Sequence, residues 1–176
     1  MPSNKKHYVI TAISLGLIAA ASGGIIAAVN LITRDQIKRN EEAKIKTGLV
    51  SIFGNDVEIK EDKDLDSYKY VNHYYSLNND NYVFRTTGSN SYGKISLLLG
   101  FSLSKEEEKQ YNFVGLYVVV DEQTYASTLE DKYIAPVNDG SRNYEDVSCG
   151  ATFGAKLVRD MINEASDVAQ GYIRKD

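Results

Sequence analysis

The residues best able to support chemistry lie in one short segment near the C-terminal end, DVSCGAT at residues 146–152. Thr152 offers a hydroxyl directly before a stretch that has the apolar spacing of an amphipathic helix. The first turn of a helix presents free N–H groups and a partial positive charge, which suit a phosphodiester anion. Gly150 and Ala151 carry little or no side chain, so a bulky group can approach the backbone there. An ordinary N-cap formed by Thr152 or Ser148 explains the local sequence equally well.

Other kinds of site find little support in the composition. Cys149 is the only cysteine, which excludes an intramolecular disulfide. His7 and His73 are the only histidines, too few to complete a His/Cys metal site. A thiol near a helix N-terminus can become nucleophilic, but no histidine neighbours Cys149 in sequence to act as its base. We therefore predict no catalytic residue and no metal ligand.

Residues 146–152 resemble the flavinylation motif of the FMN-binding domain found in the G subunit of Rnf complexes and the C subunit of sodium-translocating NADH:quinone oxidoreductase. That motif reads Asp, two free positions, Ser or Thr, Gly, Ala, Thr. Four residues match it by position: Asp146, Gly150, Ala151 and Thr152. Cys149 departs from the motif, which has Ser or Thr at that position. The resemblance implies that Thr152 carries FMN through a phosphoester, delivered from FAD by an ApbE-like flavin transferase. It also implies that Asp146 serves recognition by that transferase.

Two further stretches resemble the same family more loosely. Residues 88–101 look like its glycine-rich turn and first core strand, and residues 114–118 look like the second strand. The family then has the loop Glu-Thr-Pro-Gly-Leu-Gly over the flavin, where this chain has EQTYAS at residues 122–127. The resemblance adds three residues to the predicted flavin site, beside the motif residues Cys149, Gly150 and Ala151: Gly93, Glu122 and Thr124. Turn geometry alone is the alternative explanation for Gly88 and Gly93.

An uncharged apolar stretch at residues 8–32 predicts a membrane anchor. A helix of about 20 apolar residues crosses the hydrocarbon core, so this stretch is long enough to span a lipid bilayer. A cleaved signal peptide is the alternative, with residues 19–21 as its cleavage site. The apolar run continues well past that point, which favours an uncleaved single-pass anchor. Residues 29–37 also resemble the membrane exit of the FMN-binding family.

The charge count and the family resemblance give opposite predictions for the orientation of the anchor. Two lysines precede it, and five basic residues follow it: Arg34, Lys38, Arg39, Lys44 and Lys46. A simple count places the C-terminal side in the cytoplasm. The resemblance implies the opposite side, because the family is flavinylated outside the membrane, and we predict an extracytoplasmic domain. Residues 34–176 hold 18 basic and 24 acidic residues, a net charge of −6 that argues against nucleic acid as a partner.

The predicted fold class is α+β, with the transmembrane helix followed by an antiparallel sheet and a C-terminal amphipathic helix. The predicted divisions are residues 1–33 with the anchor, 34–66 as a juxtamembrane helix and charged linker, and 67–176 as the FMN-binding domain. In the linker, the helix should end at Gly54 and residues 58–66 should form a solvated loop.

Within the predicted domain, residues 68–77 and 82–87 should be strands around a turn at residues 78–81. Residues 94–102 and 112–120 should be central strands covered on both faces, joined by a charged connection at residues 105–109. Residues 125–139 show no clear period and predict a loop. The last helix should begin at Thr152 and end at Gly171.

Together these patterns, with the resemblance, predict a membrane-anchored electron-transfer flavoprotein with covalent FMN. The resemblance implies a G-type subunit of an ion-translocating Rnf-like complex, with the other subunits as partners. Such a subunit is part of an oxidoreductase and is not catalytic alone. One alternative is a stand-alone anchored flavoprotein that passes electrons to an extracellular acceptor. Another is a cofactor-free anchored interaction protein.

Overall fold

The computed structural model describes residues 3–104 and 110–173, and the chain divides into one compact unit ending at Ala43 and a second beginning at Lys44. The predicted charged connection, residues 105–109, lies outside the described residues. The elements in chain order are α1 (Ser3–Phe53), β1 (Ile59–Asp64), β2 (Val71–Leu77), a 3₁₀ turn (Asn78–Asp80), β3 (Asn81–Asn90), β4 (Gly93–Leu103), β5 (Tyr111–Asp121), α2 (Ala126–Leu129), a π-helical turn (Glu130–Ile134), α3 (Ala135–Asn138) and α4 (Thr152–Ile173). The predicted α+β class is confirmed.

The first unit consists of the N-terminal part of α1. Among the described residues, α1 is the one helix long and apolar enough to cross a membrane, judged by length and composition, with a mean hydropathy of 2.1 in its most apolar window. Residues 8–32 would span about 37 Å as a helix, which exceeds the roughly 30 Å hydrocarbon core and permits some tilt. Its large apolar side chains are exposed, as expected for a helix that lipid would cover. The helix is consistent with the predicted single-pass anchor.

The second unit is built on a five-stranded antiparallel sheet in the order β1-β2-β3-β4-β5. The last turns of α1 cover one face, where Leu49 packs with Leu77, Leu98 and Val119. Helix α4 and the segment from α2 to α3 cover the other face. Gly54 ends α1 as predicted, with φ +90 and its N–H donating to the Val50 carbonyl at 2.8 Å.

Strands β4 and β5 differ from each other in burial. Residues 95–101 of β4 are all buried, which confirms the prediction of a strand covered on both faces. β5 is instead an edge strand with several half-buried and exposed residues, so the prediction of a central position for it was wrong. The Asn138 side chain partly closes this edge, accepting from the Leu116 N–H at 2.8 Å and donating to the Leu116 carbonyl at 3.0 Å.

Residues 58–66 do not form the predicted loop. Most of the stretch is β1, a fully exposed strand that pairs with β2 along the other edge of the sheet. His73 of β2 bonds two β1 carboxylates, with Nδ1 2.6 Å from Asp64 Oδ1 and Nε2 against Asp62. Backbone pairing and these side-chain bonds hold a segment that buries no apolar residue, so no apolar alternation marks it in the sequence.

Residues 125–139 are helical rather than a loop. The apolar side chains of Leu129, Tyr133, Ile134 and Val137 are buried against the sheet. A π-helical turn separates α2 from α3. The buried apolar residues keep a helical spacing but span only residues 129–137, which is shorter than the window over which helical periodicity is clear.

Helix α4 begins at Thr152 as predicted. Seven residues of its predicted apolar face are buried: Leu157, Val158, Met161, Ile162, Ala165, Val168 and Ala169. The side chain of Tyr172, the last residue of that predicted face, lies outside the described residues. The helix passes through Gly171 to Ile173, so the predicted stop at Gly171 was wrong. Gly88 also lies inside β3 rather than in the turn, which is formed by residues 91–92. A Cβ on Gly88 would lie 2.4 Å from Met161 Cε, so the glycine lets α4 pack closely on the sheet.

Candidate functional site

Thr152 lines a cleft of about 350 Å³ at the N-terminal end of α4. Residues 150–154 form one wall of the cleft. The remaining walls come from Tyr92 in the β3–β4 turn, Gln123 and Tyr125 after β5, and Leu129 of α2. The cleft therefore gathers the end of the sheet and the starts of two helices around the predicted acceptor threonine.

The Thr152 hydroxyl is at the position where α4 exposes unpaired donors. The Ala155 N–H donates to the Ala151 carbonyl at 3.0 Å, which makes Ala151 the N-cap and Thr152 the first helical residue. The N–H groups of residues 152–154 precede this first helical bond and have no helical partner. Across the described part of the chain, the Thr152 hydroxyl makes no hydrogen bond, and the Ser148 hydroxyl bonds Asp146. Neither residue acts as the N-cap that the local sequence also allowed.

The loop before Thr152 is held in shape by its own hydrogen bonds. Arg142 Nη1 donates to the carbonyls of Asp146 at 2.9 Å and Ser148 at 3.2 Å. Asp146 Oδ1 accepts from the Ser148 N–H at 3.1 Å. Gly150 has φ +83, a left-handed conformation that glycine adopts without strain. The motif glycine thus turns the chain into α4, and its conformation favours glycine at this position.

Cys149 and Ala151 are both buried in the protein core, although Ala151 also lines the cleft. Each is 6% exposed and belongs to the cluster beneath α4. Cys149 does not line the cleft, so its predicted contact with a cofactor has no support in the geometry. A thiol behaves as a small apolar side chain in a core, which accounts for cysteine at a position where the motif has Ser or Thr.

Asp146 is exposed and lies outside the cleft. Hydrogen bonds from the Ser148 hydroxyl and N–H lower the pKa of its carboxyl, and the nearby Arg142 guanidinium lowers it further. Asp146 Oδ2 is 3.4 Å from Arg142 Nη1. The carboxylate is therefore ionised at neutral pH and accessible on the surface close in sequence to Thr152, as a recognition residue would be.

The predicted residues Gly93, Glu122 and Thr124 do not line the cleft. The Thr124 N–H and hydroxyl donate to the Tyr92 carbonyl at 2.8 and 3.1 Å. Gly93 has φ +137, and a Cβ on it would lie 2.1 Å from the Glu122 carbonyl oxygen. These three residues hold the β3–β4 turn against the loop after β5. They therefore position Tyr92, which does line the cleft.

Three aromatic residues of the cleft were missed by the sequence analysis. Tyr92, Tyr125 and Phe153 are 36%, 53% and 61% exposed. The Tyr92 ring lies 5.8 Å from that of Tyr125 and 5.4 Å from that of Phe153, measured between centroids. Their only sequence indication is adjacency, since Tyr92 precedes Gly93 and Phe153 follows Thr152.

The comparisons with known proteins concern the N-terminal part of the chain. Residues 1–52 match the family model of the RnfG N-terminal region. The match makes this part of the chain similar to the RnfG N-terminal region and covers less than a third of the sequence. The cleft and the whole sheet lie beyond the matched residues. No curated protein and no solved structure matches the chain.

Asp146→Ala should reduce flavin attachment far more than it reduces stability. The side chain is exposed and bonds only within its own loop, so its loss should cost less than about 1 kcal/mol. Flavin yield after co-expression with a flavin transferase, compared with the melting temperature, measures the two effects separately. Asp146→Asn is the matched control for charge, because it keeps the acceptor oxygen. A normal flavin yield for Asp146→Ala would make Asp146 an ordinary loop residue.

Proposed function

We propose that this chain is a membrane-anchored electron-transfer flavoprotein, the G-type subunit of an ion-translocating Rnf-like complex, with FMN bound covalently to Thr152. The observation that carries the proposal is the Thr152 hydroxyl, without a hydrogen bond in the described structure, at the start of α4 and on the wall of the cleft. The match of residues 1–52 to the RnfG N-terminal region supports the same function independently. That match also favours a complex subunit over a stand-alone carrier.

The residues of the cleft fit a phosphate-linked flavin. The free N–H groups at the start of α4 and the helix dipole would stabilise the phosphodiester. The exposed rings of Tyr125 and Phe153 offer apolar surface beside it. When bound, FMN supplies reversible one-electron and two-electron transfer, while the protein holds and orients it.

Attachment requires an accessible nucleophilic oxygen and little else from this chain. The Thr152 hydroxyl would lose its proton to a base of the transferase, and its oxygen would bond to the flavin-side phosphorus of FAD. The pyrophosphate bond would break and AMP would leave. Gly150 and Ala151 leave the backbone before Thr152 uncrowded, with no atom within 3.4 Å of a Cβ placed on Gly150.

Co-expression with a flavin transferase tests the proposal directly. The full-length chain should show acid-stable flavin fluorescence on a denaturing gel and the mass of an FMN phosphoester. A chain without covalent flavin would support the cofactor-free interaction protein instead. Extraction in mild detergent should then recover the flavinylated chain with other membrane subunits. Recovery of the flavinylated chain alone from its native membrane would support the stand-alone carrier.

The proposed orientation places the second unit outside the cytoplasm. A cysteine introduced at the exposed Asp66 should react with a membrane-impermeant maleimide in intact cells. The unmodified chain is the control, because its single thiol at Cys149 is buried and should stay unlabelled. Labelling of Asp66→Cys only after lysis would place the unit in the cytoplasm and contradict the proposed route of flavin attachment.

A further inference from the structure

We propose that Tyr92, Tyr125 and Phe153 form an aromatic platform on which the isoalloxazine ring of FMN stacks. This inference rests on the proposed function, covalent FMN at Thr152. The three side chains come from separate segments: the β3–β4 turn, the loop after β5 and the first turn of α4. Their convergence around Tyr92, with centroid distances of 5.8 and 5.4 Å, makes one apolar surface at the cleft.

The exposure of the platform is the first argument for a ring-shaped occupant. Phe153 is 61% and Tyr125 is 53% exposed, although both lie on a unit with a well-filled core. A phenylalanine in the first turn of a helix gains nothing from contact with water, whereas a planar aromatic ligand would bury its ring. Aromatic faces at these separations favour tilted or offset stacking partners.

Hydrogen bonds fix the platform before any ligand arrives. Asn90 Oδ1 accepts from the Tyr92 N–H at 2.8 Å, and Asn90 Nδ2 donates to the Phe153 carbonyl at 3.2 Å. One side chain thus ties the β3–β4 turn to the start of α4. Thr124 holds the Tyr92 carbonyl from the opposite side. Asn90 is therefore a positioning residue, and the preorganised backbone lowers the entropy cost of binding a ring.

The position of Thr152 identifies the ring as that of a tethered flavin. Thr152 immediately precedes Phe153 and lines the same cleft as all three aromatic residues. A phosphoester on Thr152 would place the ribityl chain at the edge of the platform, and the isoalloxazine at its other end would reach the rings. One face of the flavin would contact the platform, and the exposed side of the cleft would leave it open to an electron-transfer partner.

Flavin fluorescence per covalently bound flavin tests the platform in the full-length chain, because a stacked tyrosine quenches an excited flavin by electron transfer. Tyr92→Leu/Tyr125→Leu should shift the equilibrium between stacked and unstacked flavin about two- to tenfold toward the unstacked state, and the emission should rise. Asn90→Ala should also raise the flavin emission. Tyr68→Leu is the matched control, since Tyr68 is 43% exposed but does not line the cleft, and it should leave the emission unchanged.

Intact mass separates the failure of this inference from the failure of the proposed function. A wild-type chain with no FMN adduct would reject covalent attachment itself. A fully loaded wild-type chain with unchanged emission in the double leucine variant would overturn the platform while leaving the attachment intact. Tyr125→Phe guards against a folding defect, because it keeps the ring, removes the better electron donor and should still raise the emission.

Discussion

Thr152→Ala is expected to abolish covalent flavin while leaving the protein folded. The substitution removes the one oxygen to which the phosphorus can bond, so the flavin content should fall to background rather than by a fraction. The Thr152 hydroxyl makes no hydrogen bond within the described residues, and the side chain is half-buried. The free energy of unfolding should therefore change by less than about 1 kcal/mol. In-gel flavin fluorescence and intact mass, beside circular dichroism, measure the two quantities.

Thr152→Ser is the matched control because it keeps the nucleophilic oxygen at the same position. We expect detectable loading of the serine variant and none of the alanine variant. Ser148→Ala is a second control, because the neighbouring hydroxyl that it removes bonds Asp146 and does not face the cleft. Persistent covalent flavin in Thr152→Ala would place the linkage on another residue and would refute the assignment.

The elements predicted correctly from the sequence are those whose apolar pattern matches the burial of their residues in the fold. Helix α4 has a regular apolar face that is buried along its length, and β4 is a continuous apolar run because it is covered on both faces. The start of α4 at Thr152 was predictable because small residues precede a strict helical period. These features depend on local sequence, which is why the amino-acid sequence alone was enough to predict them.

The elements that the sequence analysis missed depend on contacts that the apolar periodicity of the sequence does not indicate. Strand β1 is fully exposed and is held by backbone pairing and by the carboxylates around His73. The helical segment after β5 is divided by a π-helical turn, and its buried apolar residues span only residues 129–137, too short a stretch for a clear period. β5 was predicted to be central because its apolar run resembles that of β4, but Asn138 rather than another strand closes its edge.

The candidate site was predictable in part for the same reason. The motif around Thr152 is contiguous in sequence, so its residues could be recognised together. The aromatic platform is assembled from three segments, and only the folded chain brings Tyr125 and Phe153 to Tyr92. The resemblance pointed to the loop at residues 122–127, where it predicts flavin contacts for Glu122 and Thr124. Their neighbours Gln123 and Tyr125 line the cleft.

Gly93→Ala should be among the most destabilising single substitutions near the site. A Cβ there would lie 2.1 Å from the Glu122 carbonyl oxygen and 3.0 Å from Gln123 Cα, both backbone atoms that no rotamer change can move aside. Gly93 also has φ +137, a conformation that side-chain-bearing residues rarely adopt. Strain and overlap together should cost at least about 3 kcal/mol of the free energy of unfolding.

Gly140→Ala separates the two causes of that cost. Gly140 has φ +76, but a Cβ placed on it would have no atom within 4 Å, so only the left-handed backbone is penalised, by about 1–2 kcal/mol. Denaturation of the detergent-solubilised full-length chain, followed by the near-ultraviolet dichroism of its tyrosines, compares the variants. Gly93→Ala should unfold at a much lower denaturant concentration than Gly140→Ala, because the strands that position Tyr92 must separate to admit the methyl group. Equal stabilities would mean that the approach of Gly93 to Glu122 relaxes without cost, and Gly93 would then position nothing.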